Sequence, residues 1–123
     1  MARDRTHSER PRIPRKGVRV AAVVARFHEE LTGVMLESAR AELLAAGMRA
    51  EDFRVVWVPG AFELALVARR LALRRDVDAV LCLALILRGE TTHDQHVAAA
   101  AVQGIVQAGL EADKPILFGV LTC

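Results

Sequence analysis

Most residues of this chain that can do chemistry fall in four short segments, and each segment directly follows an apolar run. The segments are residues 26–28, 59–63, 88–93 and Thr122. In open α/β sheets, ligands bind in the crevice beyond the carboxyl ends of the strands. If the four apolar runs are parallel strands, the four segments meet at one sheet edge. The sequence therefore predicts one composite pocket.

The segment Gly-Glu-Thr-Thr at residues 89–92 indicates an anion site. It follows an apolar run and opens a helix, so its backbone N–H groups and threonine hydroxyls can cradle a phosphate. Arg88 would add a positive charge beside it. Taken alone, the pattern fits equally well a plain helix N-cap at Thr91 or Thr92.

His93 is the candidate for proton transfer, because an imidazole can accept and release protons near neutral pH. The alternative is a structural histidine that hydrogen-bonds a carbonyl group. A metal site is a third reading, since His96 lies three residues further on, with Glu90 and Asp94 nearby. No cysteine or further histidine completes a ligand set, so we expect no metal.

Phenylalanines accompany the polar segments. Phe27 lies in the turn after the first apolar run, and Phe62 and Phe118 are expected at or near strand ends. An aromatic side chain at such a place can stack on a flat ligand, although a lone phenylalanine is more often part of the core. Glu63 can accept hydrogen bonds from ligand hydroxyls or can cap a helix N-terminus.

The elements that must position these residues are four strands, at residues 18–24, 53–58, 79–86 and 115–121. The runs are short, rich in apolar and β-branched residues, and nearly continuous in apolar character, which is typical of strands covered on both faces. We expect the third to be the most buried. Helical patterns separate them, and this alternation predicts a parallel sheet with helices on both sides.

Each intervening helix is indicated by apolar residues at helical spacing. The first ends at Gly47, a left-handed C-cap. The second runs toward Arg75, and the third begins near Thr92. The residues predicted to face the core are Leu31, Val34, Met35, Leu43 and Ala46, then Leu64, Ala68, Leu71 and Ala72, then Val97, Ala101, Ile105 and Ala108.

Length and composition restrict the class of protein. A chain of 123 residues with 53% hydrophobic content can form one domain with a single core. No apolar run reaches the roughly 18 residues of a membrane span, and no secretory signal is evident. With only two cysteines, one of them inside an apolar run, we expect a soluble protein of the reducing cytoplasm.

The charge of the chain is unevenly distributed. Residues 1–17 carry six basic side chains against Asp4 and Glu9, a net +4, so the remainder carries −2 of the overall +2. Such an arm can contact nucleic acid or a membrane surface, but no aromatic residue is interleaved and no binding motif follows. We interpret residues 1–17 as a flexible, solvated arm and expect no nucleic-acid or membrane partner.

The four segments and their flanking strands, taken in order, resemble the 6,7-dimethyl-8-ribityllumazine synthase family. The blocks are Arg-Phe-His at residues 26–28, Val-Pro-Gly-Ala-Phe-Glu at 58–63, Ile-Leu-Arg-Gly-Glu-Thr-Thr-His at 86–93 and Phe-Gly-Val-Leu-Thr at 118–122. Each block is common, but the combination is specific. The resemblance covers residues 18–123, which we expect to form one lumazine synthase-like α/β domain.

The resemblance implies a three-layer flavodoxin-like fold, with a four-stranded parallel sheet flanked by helices. It implies homopentamers or multiples of pentamers, with active sites between adjacent subunits. It also implies a transferase reaction of riboflavin biosynthesis. In this reaction 5-amino-6-(D-ribitylamino)uracil condenses with 3,4-dihydroxy-2-butanone 4-phosphate, with loss of phosphate and water, without metal or organic cofactor.

Binding roles for the pyrimidine substrate follow from the resemblance. Phe27 corresponds to the ring that stacks on the pyrimidine, and backbone groups around Ile86 and Leu87 correspond to those that contact the heterocycle. The residues that correspond to the grip on the ribityl chain are Ala61, Phe62 and Glu63.

The resemblance also assigns the phosphate site and the proton-transfer residue. Gly89, Glu90 and Thr91 correspond to part of the phosphate cradle, to which Arg88 can add a contact. His93 corresponds to the catalytic residue. Phe118 corresponds to an aromatic wall of the neighbouring subunit's pocket.

The sequence departs from the family pattern at His28, where an asparagine is usual, and at Asp94 and His96, where aromatic residues are usual. An Asp94 carboxylate that points inward would repel the substrate phosphate. The sequence reaches Cys123 before an expected closing helix, and the family's cationic phosphate ligands lie in that segment. Two classes therefore stay open: the enzyme, or a non-catalytic lumazine synthase-like assembly or flavin-binding protein.

Overall fold

The predicted alternation of strands and helices is present in the computed structural model, which describes residues 12–14, 16–89 and 93–123. The strands are β1 (Val20–Ala25), β2 (Phe53–Val58), β3 (Ala79–Ile86) and β4 (Ile116–Thr122). The helices are α1 (Glu29–Ala45), α2 (Leu64–Ala72) and α3 (His93–Ala112). The predicted bounds of β2 and β3 are confirmed, and those of β4 shift by one residue.

All four strands are parallel, in the order β2-β1-β3-β4. This is the order of a flavodoxin-like sheet, and it confirms the predicted fold class. From β1 the chain forms β2 at one edge of the sheet, and it then crosses back to form β3 on the other side of β1. The strand order therefore reverses between β1 and β3, which is where such sheets open a crevice for ligands.

The core consists of two layers of apolar side chains, one on each face of the sheet. On one face, alternate residues of β1 and β3 pack against α2 and α3 through Leu64, Ala68 and Ile105. On the other face, the remaining strand residues pack against Leu36 of α1 and Met48. These two layers explain why the strands are apolar at nearly every position.

β1 is the most buried strand, since all six of its residues are buried, so our expectation for β3 was wrong. β1 lies between β2 and β3 and has a helix layer on each face, whereas β3 has two partly exposed residues. Cys82 of β3 is fully buried, and this burial raises the pKa of its thiol to about 12. Cys82 is therefore a core residue without nucleophilic reactivity.

The predicted inner face of α1 is partly wrong, whereas those of α2 and α3 are confirmed. Leu31 and Val34 are 46% and 67% exposed, and the buried residues of α1 are Thr32 and Leu36. α1 has apolar residues around much of its circumference, so the apolar pattern alone did not define its orientation. Gly47 follows the helix with φ 110°, as the left-handed C-cap requires.

Candidate functional site

The turn after β1 is held beside the turn after β2 by backbone hydrogen bonds. The Arg26 N–H donates to the Val58 carbonyl at 2.7 Å, and the Phe27 N–H donates to the Pro59 carbonyl at 3.1 Å. These bonds extend the pairing of β1 with β2 beyond the last strand residues. Phe27 is 67% exposed, so it is not a core residue and much of its ring is open to a ligand.

Three further contacts fix the direction of this turn. The Arg26 guanidinium lies 5.3 Å from the ring centroid of Trp57 and 3.5 Å from a Glu29 carboxylate oxygen. Behind the turn, the buried Thr32 hydroxyl donates to the Ala25 carbonyl at 2.8 Å. The sequence analysis missed Thr32, because a single threonine within a helix gives no signal of such a bond.

His28 is the N-cap residue of α1 and has a left-handed backbone conformation, with φ 64° and ψ 48°. Its ring lies 4.4 Å from the Phe27 ring, centroid to centroid. Asparagine adopts this conformation more readily than most residues, whereas β-branched residues avoid it. The strained position is therefore directly beside the ring that we expect to contact a ligand.

We expect His28→Asn to raise the free energy of unfolding by about 0.5–1 kcal/mol, because asparagine relieves part of the left-handed strain. His28→Val should lower it by at least ~1 kcal/mol at the same position. Thermal or urea unfolding of the three proteins at equal concentration measures both changes. A valine variant as stable as the parent would contradict the left-handed conformation.

The turn after β2 is closed by Glu63. Its carboxylate oxygen accepts a hydrogen bond from the Gly60 N–H at 2.9 Å, and the Glu63 N–H donates to the Gly60 carbonyl at 3.2 Å. Residues Ala61–Glu63 form one 3₁₀ turn that leads into α2. Ala61 is buried, whereas Phe62 is 68% exposed. Glu63 therefore has the capping role that we considered, and the turn that it caps leaves Phe62 exposed.

The segment after β3 is paired with the end of β4. The Arg88 N–H donates to the Cys123 carbonyl at 2.7 Å, and the Cys123 N–H donates to the Ile86 carbonyl at 2.9 Å. Ile86 is buried, whereas Leu87 is 45% exposed. The predicted phosphate ligands Glu90 and Thr91 lie outside the described residues.

Three of the chemically active segments meet around one cleft of about 480 Å³, which we call the aromatic cleft. It opens at the carboxyl ends of the strands, between the turn after β1, the turn after β2 and the first turns of α3. Its described lining residues are Phe27, Gly60, Ala61, Phe62, His93, His96 and Val97. Two exposed phenyl rings and two imidazoles thus lie around a space large enough for a flat heterocycle.

A second cleft, of about 500 Å³, lies on the other side of the first turns of α3, and we call it the polar cleft. Its described lining residues are Arg88, Gly89, Asp94, Gln95, Ala98 and Thr122. Arg88 is its only described cation. Asp94 lines this cleft and is 8% exposed, so a carboxylate is present where we predict a phosphate group.

The structure brings some of the predicted site residues together and leaves others apart. Phe27, Ala61, Phe62 and His93 line the aromatic cleft, and Arg88 and Gly89 line the polar cleft. Of the described residues in our predicted set, four line neither cleft. These are Glu63, Ile86, Leu87 and Phe118.

Phe118 is not near a strand end, contrary to our expectation. It is the third residue of β4, paired with Cys82, and its ring is 44% exposed at the edge of the sheet. The sequence analysis also underestimated His96, which we considered only as a metal ligand. Its spacing of three residues from His93 on one helix was the available signal.

Within residues 12–14, 16–89 and 93–123, no three His, Cys, Asp or Glu side chains converge as a ligand set. The helices of this same part of the chain lack the combined length and apolar character needed to cross a bilayer.

Comparison with known proteins gives a consistent result. The family model described as 6,7-dimethyl-8-ribityllumazine synthase matches residues 17–123. The chain is 50% identical over 112 residues to the 6,7-dimethyl-8-ribityllumazine synthase of Thermus thermophilus, covering 91% of this chain and 71% of that protein. It is 44% identical over 108 residues to the chloroplastic enzyme of Arabidopsis thaliana, covering 88% and 48%. Identity to the enzyme of Protochlamydia amoebophila is 41% over 104 residues, covering 85% and 60%.

Proposed function

Since the chain belongs to the 6,7-dimethyl-8-ribityllumazine synthase family, we propose that it makes the lumazine precursor of riboflavin. It would condense 5-amino-6-(D-ribitylamino)uracil with 3,4-dihydroxy-2-butanone 4-phosphate. The observation that carries the proposal is the pair of adjacent clefts, one aromatic with an imidazole in its wall and one polar with a guanidinium. The aromatic cleft suits a flat ring, and the polar cleft suits a sugar phosphate.

The aromatic cleft is suited to the pyrimidine substrate. The Phe27 ring can stack on the heterocycle, and an offset aromatic pair contributes about 0.5–1.5 kcal/mol beyond the burial of area. Phe62 and the buried Ala61 line the same cleft and can contact the ribityl chain. The Glu63 carboxylate uses one oxygen to cap Gly60, so it retains acceptor capacity for ribityl hydroxyls. Backbone groups of Ile86 and Leu87 are proposed to contact the heterocycle.

The polar cleft is suited to the phosphate of the second substrate. The Arg88 guanidinium can make charge-assisted hydrogen bonds, which are about twice as strong as neutral ones. Gly89 leaves room for a close approach, and we assign Glu90 and Thr91 to the same cradle. Asp94 opposes this charge, so the net attraction for phosphate depends on how Arg88 and Asp94 are oriented when the substrate binds.

His93 is the proposed proton-transfer residue. It belongs to the first turn of α3, which separates the two clefts, and its imidazole lines the aromatic cleft. An amine on the pyrimidine and the carbonyl of the ketone would therefore meet beside it. Imine formation, phosphate elimination and ring closure each move protons, and a single imidazole can serve as acid and base in turn. Holding both reactants side by side supplies much of the remaining rate.

We also propose that the chain functions as a homopentamer or a multiple of pentamers. Exposed apolar residues repeat every fourth position along α3, at Val102, Val106 and Leu110, with exposures of 41%, 57% and 78%. The Phe118 ring on the edge strand β4 is exposed as well. Such apolar surface favours contact with another subunit, to whose pocket Phe118 would contribute a wall. Light scattering of the purified protein measures the assembly size.

A cytoplasmic location is part of this proposal. Both cysteines are free thiols, Cys82 in the core and Cys123 on the surface. Free thiols are typical of reducing compartments. The substrates are small molecules, and we propose neither nucleic acid nor membrane as a partner.

The proposed function is tested by supplying both substrates to the purified protein and following the fluorescence of the lumazine product. We expect product only when both substrates are present, together with stoichiometric release of inorganic phosphate. Reactions that lack either substrate are the controls. Absence of product at high protein concentration, from protein that is folded and assembled, would show that this chain is not the synthase.

A further inference from the structure

The aromatic cleft contains a second imidazole to which the proposed reaction assigns no role. His96 lines this cleft together with His93 and the two phenylalanines. The two histidines are three residues apart on α3, so their Cβ atoms are about 5–6 Å apart on the same face of the helix. His96 is therefore one helical turn away from the proton-transfer site and faces the same space.

The composition of the cleft wall indicates what this imidazole does. Among the described lining residues, Phe27, Ala61, Phe62 and Val97 are apolar and Gly60 has no side chain. His93 and His96 are the only described lining residues with polar side chains. A ligand that enters this cleft loses water from its polar atoms, and a polar atom left without a hydrogen-bond partner there weakens binding.

The position of the charged groups indicates which substrate contacts His96. The described lining of the aromatic cleft contains no arginine or lysine, whereas Arg88 lines the polar cleft on the other side of the first turns of α3. A dianionic phosphate is therefore expected in the polar cleft. The lining of the aromatic cleft instead suits a neutral, flat, polar ring that fits between aromatic walls.

We propose that His96 is a substrate-binding residue that hydrogen-bonds a polar atom of the pyrimidinedione substrate in the aromatic cleft. This inference rests on the proposed function, which supplies the identity of that substrate. An imidazole can donate with one ring nitrogen and accept with the other, so it can pair with a carbonyl, an amine or a hydroxyl group. His96 would then determine affinity for the ring substrate, whereas His93 determines the rate of proton transfer.

His96→Phe tests the proposal, because phenylalanine keeps a planar ring of similar size and removes both hydrogen-bonding nitrogens. We expect the dissociation constant for the pyrimidinedione substrate, measured by titration calorimetry in the absence of the ketone, to rise about five- to tenfold. His96→Gln places an amide near the position of the distal ring nitrogen and should bind within about threefold of the parent. If the phenylalanine variant does not fold, His96→Ala provides the same comparison.

Steady-state kinetics add a readout that a purely structural role would not produce. In His96→Phe the KM for the pyrimidinedione should rise by a similar factor, while the KM for the ketone phosphate stays within about twofold. Gln103→Ala is the matched control, since Gln103 is exposed on α3 and lines neither cleft. It should bind both substrates like the parent.

The outcomes separate the two proposals. If the parent forms lumazine and His96→Phe binds the pyrimidinedione as tightly as the parent, His96 is a surface histidine only and this inference is wrong. An equal rise of both KM values would indicate a general distortion of the site, and it would also reject a specific contact. If the parent forms no lumazine, the proposed function fails first, whatever the His96 variants do.

Discussion

His93→Ala is expected to lower kcat by about 10²–10⁴-fold, because general acid–base catalysis by a positioned imidazole typically contributes that factor. The imidazole lines the aromatic cleft in the first turn of α3, beside the polar cleft that we assign to the phosphate. Substrate binding should change much less, since the phenyl walls and the polar cleft remain. Rapid-quench or continuous fluorescence assays of lumazine formation measure kcat and KM for both substrates.

Chemical rescue distinguishes loss of the proton carrier from damage to the fold. The cleft left by His93→Ala is open to solvent, so free imidazole at tens of millimolar should restore part of the activity. His93→Gln retains hydrogen bonding but cannot carry a proton, and it should be as slow as the alanine variant. Gln103→Ala should retain full activity. An alanine variant within about threefold of the parent rate would refute the assigned role of His93.

The sheet was predictable from the sequence because its strands are buried on both faces. β2 and β3 have the predicted bounds, because polar residues mark both ends of each apolar run. An acidic residue directly precedes each run, and a proline or an arginine follows its last residue within two positions. Parallel strands place their carboxyl ends at one edge, so the meeting of Phe27, Phe62 and His93 followed from the topology. The sheet edge that holds the candidate site was therefore predictable from the apolar runs together with the polar segments that follow them.

The orientation of individual side chains was not predictable, because it depends on local hydrogen bonds. The Glu63 carboxylate turns back to the Gly60 N–H, which a sequence shows only as a glutamate three residues after a glycine. Thr32 faces the core because its hydroxyl reaches the Ala25 carbonyl, although a threonine counts as polar in a periodicity argument. Phe118 already falls in the middle of the predicted strand at residues 115–121, but the neighbour it pairs with depends on the register of β4 against β3, which tertiary packing sets.

Gly104→Ala is expected to lower the stability of the protein, although alanine is a better helix former than glycine. A Cβ atom at Gly104 would lie 2.7 Å from the Cβ of Ala65, where α3 crosses α2. That neighbour is attached directly to the α2 backbone, so it cannot rotate away, and the two helices must move apart. Overpacking of this kind costs about 1–3 kcal/mol. This cost should exceed the gain of about 1 kcal/mol that alanine brings in helix propensity.

The same two helices also carry the walls of the aromatic cleft. Ala61 and Phe62 directly precede α2, and His93 and His96 belong to the first turns of α3. An ion pair between Arg69 and Glu111, at 2.7 Å, bridges α2 and α3. The hydrogen bond from Arg69, together with a further one from Gln107, lowers the pKa of the Glu111 carboxyl. Because this pair is exposed to solvent, which screens it, it adds little stability and cannot hold the helices at their original distance. The cleft should therefore widen as stability falls.

Gly109→Ala is the matched control, since it is the same substitution five residues further along the same helix. The nearest atom to a Cβ at Gly109 lies at 3.6 Å, an ordinary contact, so this variant should gain about 0.5–1 kcal/mol from helix propensity. Thermal unfolding at equal protein concentration should then show opposite shifts of the midpoint for the two variants. A Gly104→Ala protein at least as stable as the parent would mean that α2 and α3 can separate at no cost. The close contact between the two helices would then have no part in setting the width of the aromatic cleft.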